Sequence, residues 1–367
     1  MKLSEALEKA YTEEHLTARE AQKRAEWIAW GPAVFQASRL MVKTGILQLL
    51  HDSSEGLTRQ QICQATGLSD YAAKCLLEAA LTIGTVLVDT KTNRYSLAKT
   101  GWFLLNDKAT QVNMDFCHDV NYEGWFHLEE ALKSGKPVGL RHFGDWPTVY
   151  EGLSRLPGQV KRSWLGFDHY YSDAAFPEAL KIIFDEHHVR SLYDVGGNTG
   201  KWALQCVAYD PAVTVTILDL PQQIEMMRQN IEGQEGAERI RAHTIDLLDK
   251  EAQFPHTESP DAIWMSQFLD CFSMEEITSI LSRAKACMNT HTRIYIMETL
   301  WDRQRYDTAA FCLTMTSLYF AAIANGNSKM YNTEDMEECI RKAGLRTEHI
   351  YDGLGMGHSI LVVSTEA

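Results

Sequence analysis

Ser191–Gly200, reading SLYDVGGNTG, is the stretch from which the rest of the chain is understood. β-favouring residues lead into Asp194, glycines follow at Gly196, Gly197 and Gly200, and KWALQCV continues as a helix. Glycine lets the backbone bend tightly and approach a ligand that a Cβ would block. The helix that starts there turns its free N–H groups toward whatever lies on the turn. Strand, glycine turn and helix in that order build a nucleotide cradle, although the same pattern also closes ordinary structural turns.

From residue 191 onward strands and helices alternate, which predicts an α/β fold with a mostly parallel sheet. The strands read SLYDVG, VTVTILDL, IRAHTIDL, DAIWMSQF and TRIYIMETL, with helices over 199–209, 221–232 and 273–288. TAAFCLTMTSLYFAAIANG and TEDMEECIRKAG are two further helices. EHIYDGL and HSILVVST close the chain as an antiparallel pair, because the short turn between them cannot hold a crossover helix.

Ligands of such sheets bind beyond the carboxyl ends of the strands. The second strand ends in Asp219, where a carboxylate can accept both hydroxyls of a ribose. The third ends in Asp246, followed by Leu247 and Leu248, a polar contact beside an apolar clamp for an adenine ring. Two acids at successive strand ends behind a glycine turn point to an adenosine ligand. The glycines stand as G-G-x-x-G, not as the dinucleotide G-x-G-x-x-G. Asp194 would repel a pyrophosphate but suits the ammonium of an amino-acid tail. S-adenosyl-L-methionine therefore fits better than NAD.

Upstream, residues 1–50 read as helices rich in Trp, Leu and Met, serving either their own core or a subunit interface. Thr58 with Gln61 forms a capping box. A second helix, SDYAAKCLLEAALTIG, is capped by Ser69 or Asp70, and VLVDTKTNRYSLA supplies two strands, which together make a winged helix. Residues 1–107 hold 12 basic and 12 acidic side chains. No basic face is implied, and a structural or dimerising role is expected over DNA binding. Residues 110–190 are aromatic and broken by Pro137, Pro147, Pro157 and Pro177 into short helices. The expected division is a helical and winged-helix domain over 1–110, a linker over 111–185 and the cofactor domain over 186–367.

A net charge of −14 argues against nucleic acid and anionic membranes as partners. No run approaches the ~18 apolar residues of a membrane span, and MKLSEALEKA lacks the apolar region of a signal peptide. The eight cysteines stand singly, with no CxxC pair. That suits reduced thiols in a cytoplasm and gives no metal site.

The chain resembles the class I S-adenosylmethionine-dependent O-methyltransferases of the group that includes plant caffeate and flavonoid enzymes and bacterial polyketide enzymes. DVGGNTG matches that family's DVGGGTG, with Asn198 replacing the third glycine. ILDLP (217–221) matches FDLP, and IDLL (245–248) sits where the family has GDMF. DAIWMSQFLDCFSMEE (261–276) corresponds to the family's segment ending in HDW, and YIMETL (295–300) to its AECIL. The resemblance implies a Rossmann-like domain whose seven-stranded, mostly parallel sheet has an antiparallel last strand, preceded by a helical winged-helix domain that makes a homodimer. It assigns the cofactor to Gly196, Asp219, Leu220, Asp246 and Leu247. Ser266 and Gln267 fall at a strand end that touches it, and Ser172 matches a serine near its tail. Asp194 and Gly197 join these from the reading of the turn itself.

The departures concern catalysis. The family's general base is the His of HDW, where this chain has Asp270-Cys271-Phe272. Glu298 matches the first of the two glutamates that flank that His, whereas the second falls on Met330. Asp270 is the substitute base that the position offers. A carboxylate of ordinary pKa ~3.9 facing a phenol near ~10 leaves proton transfer uphill by roughly 8 kcal/mol. Asp270 therefore requires a raised pKa or an unusually acidic acceptor. His118, His127, His142, His169 and His358 are other candidates, each better read alone as a surface or hydrogen-bonded structural histidine.

The expectation is a cytoplasmic, homodimeric methyltransferase that O-methylates a small aromatic hydroxyl compound. Its pocket would lie between the cofactor domain, the linker and the 308–325 helix, where Phe311, Met315 and Tyr319 either line it or pack the core. The alternatives are an enzyme of the same scaffold without methyl transfer, such as a decarboxylase or hydroxylase, a cofactor-sensing winged-helix regulator, and an NAD enzyme.

Overall fold

The computed structural model describes residues 2–186, 188–256 and 258–366, with the backbone alone at residues 169, 171–173 and 186. Two compact units emerge: Glu14–Asp119, and Met1–Glu13 together with Val120–Ala367.

In the smaller unit, Thr58 caps the helix Arg59–Thr66 through the expected reciprocal bonds with Gln61. Ser69 caps the next helix, Asp70–Ile83, by accepting from the Ala72 amide. The wing gains a strand that the sequence pattern did not suggest: β1 (Leu57–Thr58) pairs antiparallel with β3 (Arg94–Leu97), which also pairs with β2 (Val86–Asp89). A two-residue strand is too short to show an alternation. The helix Ala18–Ala29 buries none of its residues within the unit.

The larger unit is built on a seven-stranded sheet of β4 (Ser191–Val195), β5 (Thr214–Asp219), β6 (Ile240–Thr244), β7 (Ala262–Ser266), β8 (Arg293–Glu298), β9 (Leu345–Leu354) and β10 (His358–Thr365). The spatial order is β6-β5-β4-β7-β8-β10-β9. The first five run parallel. Only β10 runs against its neighbours β8 and β9, because Gly355, Met356 and Gly357 alone separate it from β9. β4 is the strand at which the order reverses, the position where such sheets open a crevice.

Side chains alternate across the sheet. Tyr193 and Val195 of β4 face the helices Met274–Ala286 and Thr333–Lys342. Leu192 faces the other layer, where Trp202 stacks on Trp264 with ring centroids 4.3 Å apart. The amino-terminal segment docks on this unit too: Leu7 is fully buried, and Ser4 Oγ donates to the Gln304 carbonyl at 2.7 Å.

One expectation needs correcting. Asp307–Ala324 is a continuous 18-residue helix that is long and apolar enough, by length and composition, to span a membrane. Its last turn, Phe320–Ala324, is wholly buried in protein, whereas Phe311 and Met315 nearer its start are exposed.

Candidate functional site

The carboxyl ends of β4, β5, β7 and β8 converge. After β4 the chain turns through Gly196, with φ +73°, Asn198 at +48° and Gly200 at +77°. Asn tolerates the left-handed region better than other side chains, so it can stand where the motif otherwise carries glycine. A Cβ on Gly196 would lie 2.4 Å from Cδ2 of Phe268, and one on Gly200 2.9 Å from Cγ of Met227. The helix Lys201–Tyr209 then begins.

Asp219 ties the turn to the second strand end. Its Oδ2 accepts from the Asn198 amide at 2.9 Å and its Oδ1 from the Leu220 amide at 2.8 Å. Burial raises its pKa, and those two bonds pull it back. Asp194 lies beneath the turn against Gly197, 2 % exposed, with Oδ2 lacking a partner among the described residues. Burial first, and the charge of Asp219 second, push its pKa up to about 8. β6 ends at Thr244, so Asp246 sits two residues beyond it in an exposed turn, where its Oδ1 accepts from the Leu248 amide at 2.9 Å. Leu247 is buried and Leu220 exposed. The Asp246–Ala252 loop is held by Arg283, whose guanidinium donates to the carbonyls of Leu247 at 2.6 Å and of Asp249 and Ala252 at 2.9 Å each.

β7 ends at half-buried Ser266, and Gln267 follows in a left-handed conformation, φ +44°, its amide donating to the Met297 carbonyl. Its Oε1 is buried without a partner among the described residues. Glu298, at the end of β8, receives the amides of Phe268 at 3.1 Å and Leu269 at 2.9 Å on Oε1. Its Oε2 is buried and lacks such a partner. Burial and the nearby charge of Asp270 hold Glu298 well above the usual carboxylate range.

Asp270 is buried in the short turn Leu269–Cys271. The Cys271 thiol donates to its Oδ1 at 3.5 Å. Burial drives the Asp270 pKa up to about 7, with repulsion from Asp168 adding to the rise and the thiol opposing it. No histidine is among the groups that act most on it. His142 pairs with Glu123 at 3.1 Å, and His118 with Asp119 at 2.7 Å. His358 is fully buried at the start of β10, where desolvation lowers its pKa to about 4. The side chains of His169 and Ser172 lie outside the described residues.

The structure gathers further groups here that no motif announced. Trp164, on the helix Gly158–Ser172, donates from Nε1 to the Tyr319 hydroxyl at 2.7 Å. Tyr150 and Tyr319 are both pushed up by burial and lie within the electrostatic reach of Cys271 and Asp270. Asn325 and Tyr331 bond the carbonyls of Cys271 and Phe272. They come from segments far apart in the chain, and only their aromatic or amide character was visible beforehand. Tyr319 is buried, whereas Phe311 and Met315 lie exposed on their helix.

Comparison with known proteins agrees with this geometry. The O-methyltransferase domain model matches residues 165–346, and the Dimerisation2-like domain model matches 22–95. An L-tyrosine C(3)-methyltransferase of Streptomyces lavendulae is 26% identical over 326 residues, 88% of this chain and 86% of that protein. The apo structure of the S-adenosylmethionine-dependent methyltransferase SibL superposes with a TM-score of 0.70 at 22% identity, covering 93% of this chain and 98% of SibL. The human N-acetylserotonin methyltransferase, solved with its cofactor, gives 0.65 at 16% identity, covering 96% and 100%. With its crevice at the switch strand and its amino-terminal Dimerisation2-like domain, this chain belongs to the S-adenosylmethionine-dependent O-methyltransferase family.

Proposed function

We propose that this methyltransferase acts on a small aromatic hydroxyl compound, with the cofactor held at the four strand ends and Asp270 serving as the acceptor's base. Three features of the cradle fit the cofactor. Each Asp219 oxygen keeps acceptor capacity for a ribose hydroxyl, because one backbone amide does not exhaust it. Asp194 Oδ2 and Gln267 Oε1 are buried polar atoms in want of partners, a costly condition unless a ligand completes them. Gly196 and Gly197 keep side chains out of the turn, Leu220, Asp246 and Leu247 flank the adenosine end, and Ser266 borders the tail. Bound S-adenosylmethionine supplies a methyl group already activated by a sulfonium.

The chain must then align the acceptor and receive its proton. Alignment alone is worth ~7–11 kcal/mol of the barrier. The observation that carries the base assignment is the burial of Asp270 beside Glu298. With its pKa near 7, the gap to a phenol shrinks from about six units to about three, and the transfer penalty falls from roughly 8 to roughly 4 kcal/mol. Glu298 receives the two amides at the entry of the turn and so fixes the backbone that carries Asp270.

A second reading is favoured by the S. lavendulae relative, whose name places the methyl on carbon 3 of tyrosine. In that case the ring carbon ortho to the hydroxyl forms the new bond, and the displaced ring proton passes to the base. Incubation with S-adenosylmethionine and a panel of phenols, read by mass spectrometry and NMR, tests both. An O-methyl signal supports the first and a C-methyl signal the second. S-adenosylhomocysteine formed without any methylated product refutes both.

The protein is read as a cytoplasmic homodimer. Its eight free thiols suit a reducing compartment. Trp27, Ile28, Trp30, Leu40, Trp102 and Phe103 expose apolar surface on the Glu14–Asp119 unit, enough to ask for a second copy. Sedimentation at micromolar concentration checks this.

A further inference from the structure

The helix Asp307–Tyr319 widens into a π turn over Phe320–Ala324 and ends at Asn325. Such turns are rare and recur at functional sites. The Asn325 carboxamide is used in both directions. Nδ2 donates to the Cys271 carbonyl at 2.6 Å. Oδ1 accepts from Ser328 Oγ at 2.9 Å and from the amides of Ser328 at 3.2 Å and Asn327 at 3.3 Å. Six residues on, the Tyr331 hydroxyl donates to the Phe272 carbonyl at 2.6 Å.

The Phe268–Phe272 segment is therefore gripped at both ends. Its entry amides rest on Glu298, and its exit carbonyls rest on Asn325 and Tyr331. Asp270 sits between the two grips. Its carboxylate meets the Cys271 thiol, a weak donor, so the main chain decides where it points. Asn325 also closes the helix that carries Tyr319, which brings the two walls under one joint.

We propose that Asn325, with Tyr331 as its second tie, is a positioning residue that holds Asp270 in place for proton acceptance during methyl transfer. The inference rests on the reading of Asp270 as the base. The amide donates to the Cys271 carbonyl and accepts from Ser328 at once; an ionised carboxylate of the same shape would set an oxygen against the carbonyl.

The test compares the purified full chain with Asn325→Asp, Tyr331→Phe and Asp270→Asn for kcat, its pH profile, the KM for cofactor and the melting temperature. Displacement of a reacting group by about 1 Å costs on the order of 10²-fold. Asn325→Asp is expected to lower kcat 10- to 100-fold and shift the acid limb of the profile. Tyr331→Phe should lower kcat several-fold, and both variants should keep the cofactor KM. Should Asp270→Asn cripple turnover while both other variants keep parental kcat and pH limb, the positioning role is overturned and the base stands. Earlier melting of those two variants with unchanged kcat per folded molecule overturns it equally. An unaffected Asp270→Asn overturns the base reading itself, whatever Asn325 does.

Discussion

Removing the charge of Asp270 gives the sharpest test of the acceptor side. Burial lifts this carboxyl from the ordinary 3.8 to about 7, so it exchanges its proton near neutrality. As a base it must be ionised, and kcat is expected to climb with pH through about 7 and then level off. General-base catalysis is worth ~10²–10⁴-fold. Asp270→Asn preserves the shape, removes the base, and should lower kcat by that factor while abolishing the limb. Initial rates of S-adenosylhomocysteine release, measured from pH 5.5 to 9 with cofactor saturating, supply the profile. The same substitution has a stability signature. Between the unfolded value and the folded one, the folded chain carries a proton that the unfolded chain lacks, so stability declines as pH rises through that window. Three units correspond to ~4 kcal/mol. Asp270→Asn should flatten that decline and melt higher than the parent at pH 8. Turnover and limb unchanged in the variant, or a parent profile without a limb near 7, would refute the reasoning.

Asp194 obeys the same linkage, with its folded pKa near 8; Asp194→Asn should raise the melting temperature at pH 8 relative to pH 5, measured by calorimetry. Arg283→Met strips charged donors from three loop carbonyls, each bond worth ~1.5–3 kcal/mol, and should weaken S-adenosylhomocysteine binding at least tenfold in titration calorimetry. Unaltered affinity would show that the loop holds itself. Gly196→Ala places a Cβ 2.4 Å from the Phe268 ring at φ +73°, a left-handed backbone costing ~1–2 kcal/mol, and should lower both cofactor affinity and melting temperature.

Local patterns carried much of this protein. The glycine turn, the acids at successive strand ends and the period of the strands depend on near neighbours, and a strand's carboxyl end lies where its apolar run stops. Even so, β6 stopped short of Asp246, because a residue whose own carboxylate bonds the amide of Leu248 prefers a turn. The short β1 was also invisible, since it exists only through pairing with β3.

What the sequence by itself determined is the glycine turn and its acids, on which the proposed cofactor end rests: SLYDVGGNTG, Asp219 and the replacement of the family's His by Asp270 can all be read along the chain. What only the tertiary structure decided is the state of that aspartate. Its raised pKa comes from burial and from the charge of Asp168, and the segment that carries it is bonded by Glu298, Asn325 and Tyr331. Those residues lie between 28 and 102 positions away, and solvent exclusion is a property of the assembled fold, which no spacing in the chain records.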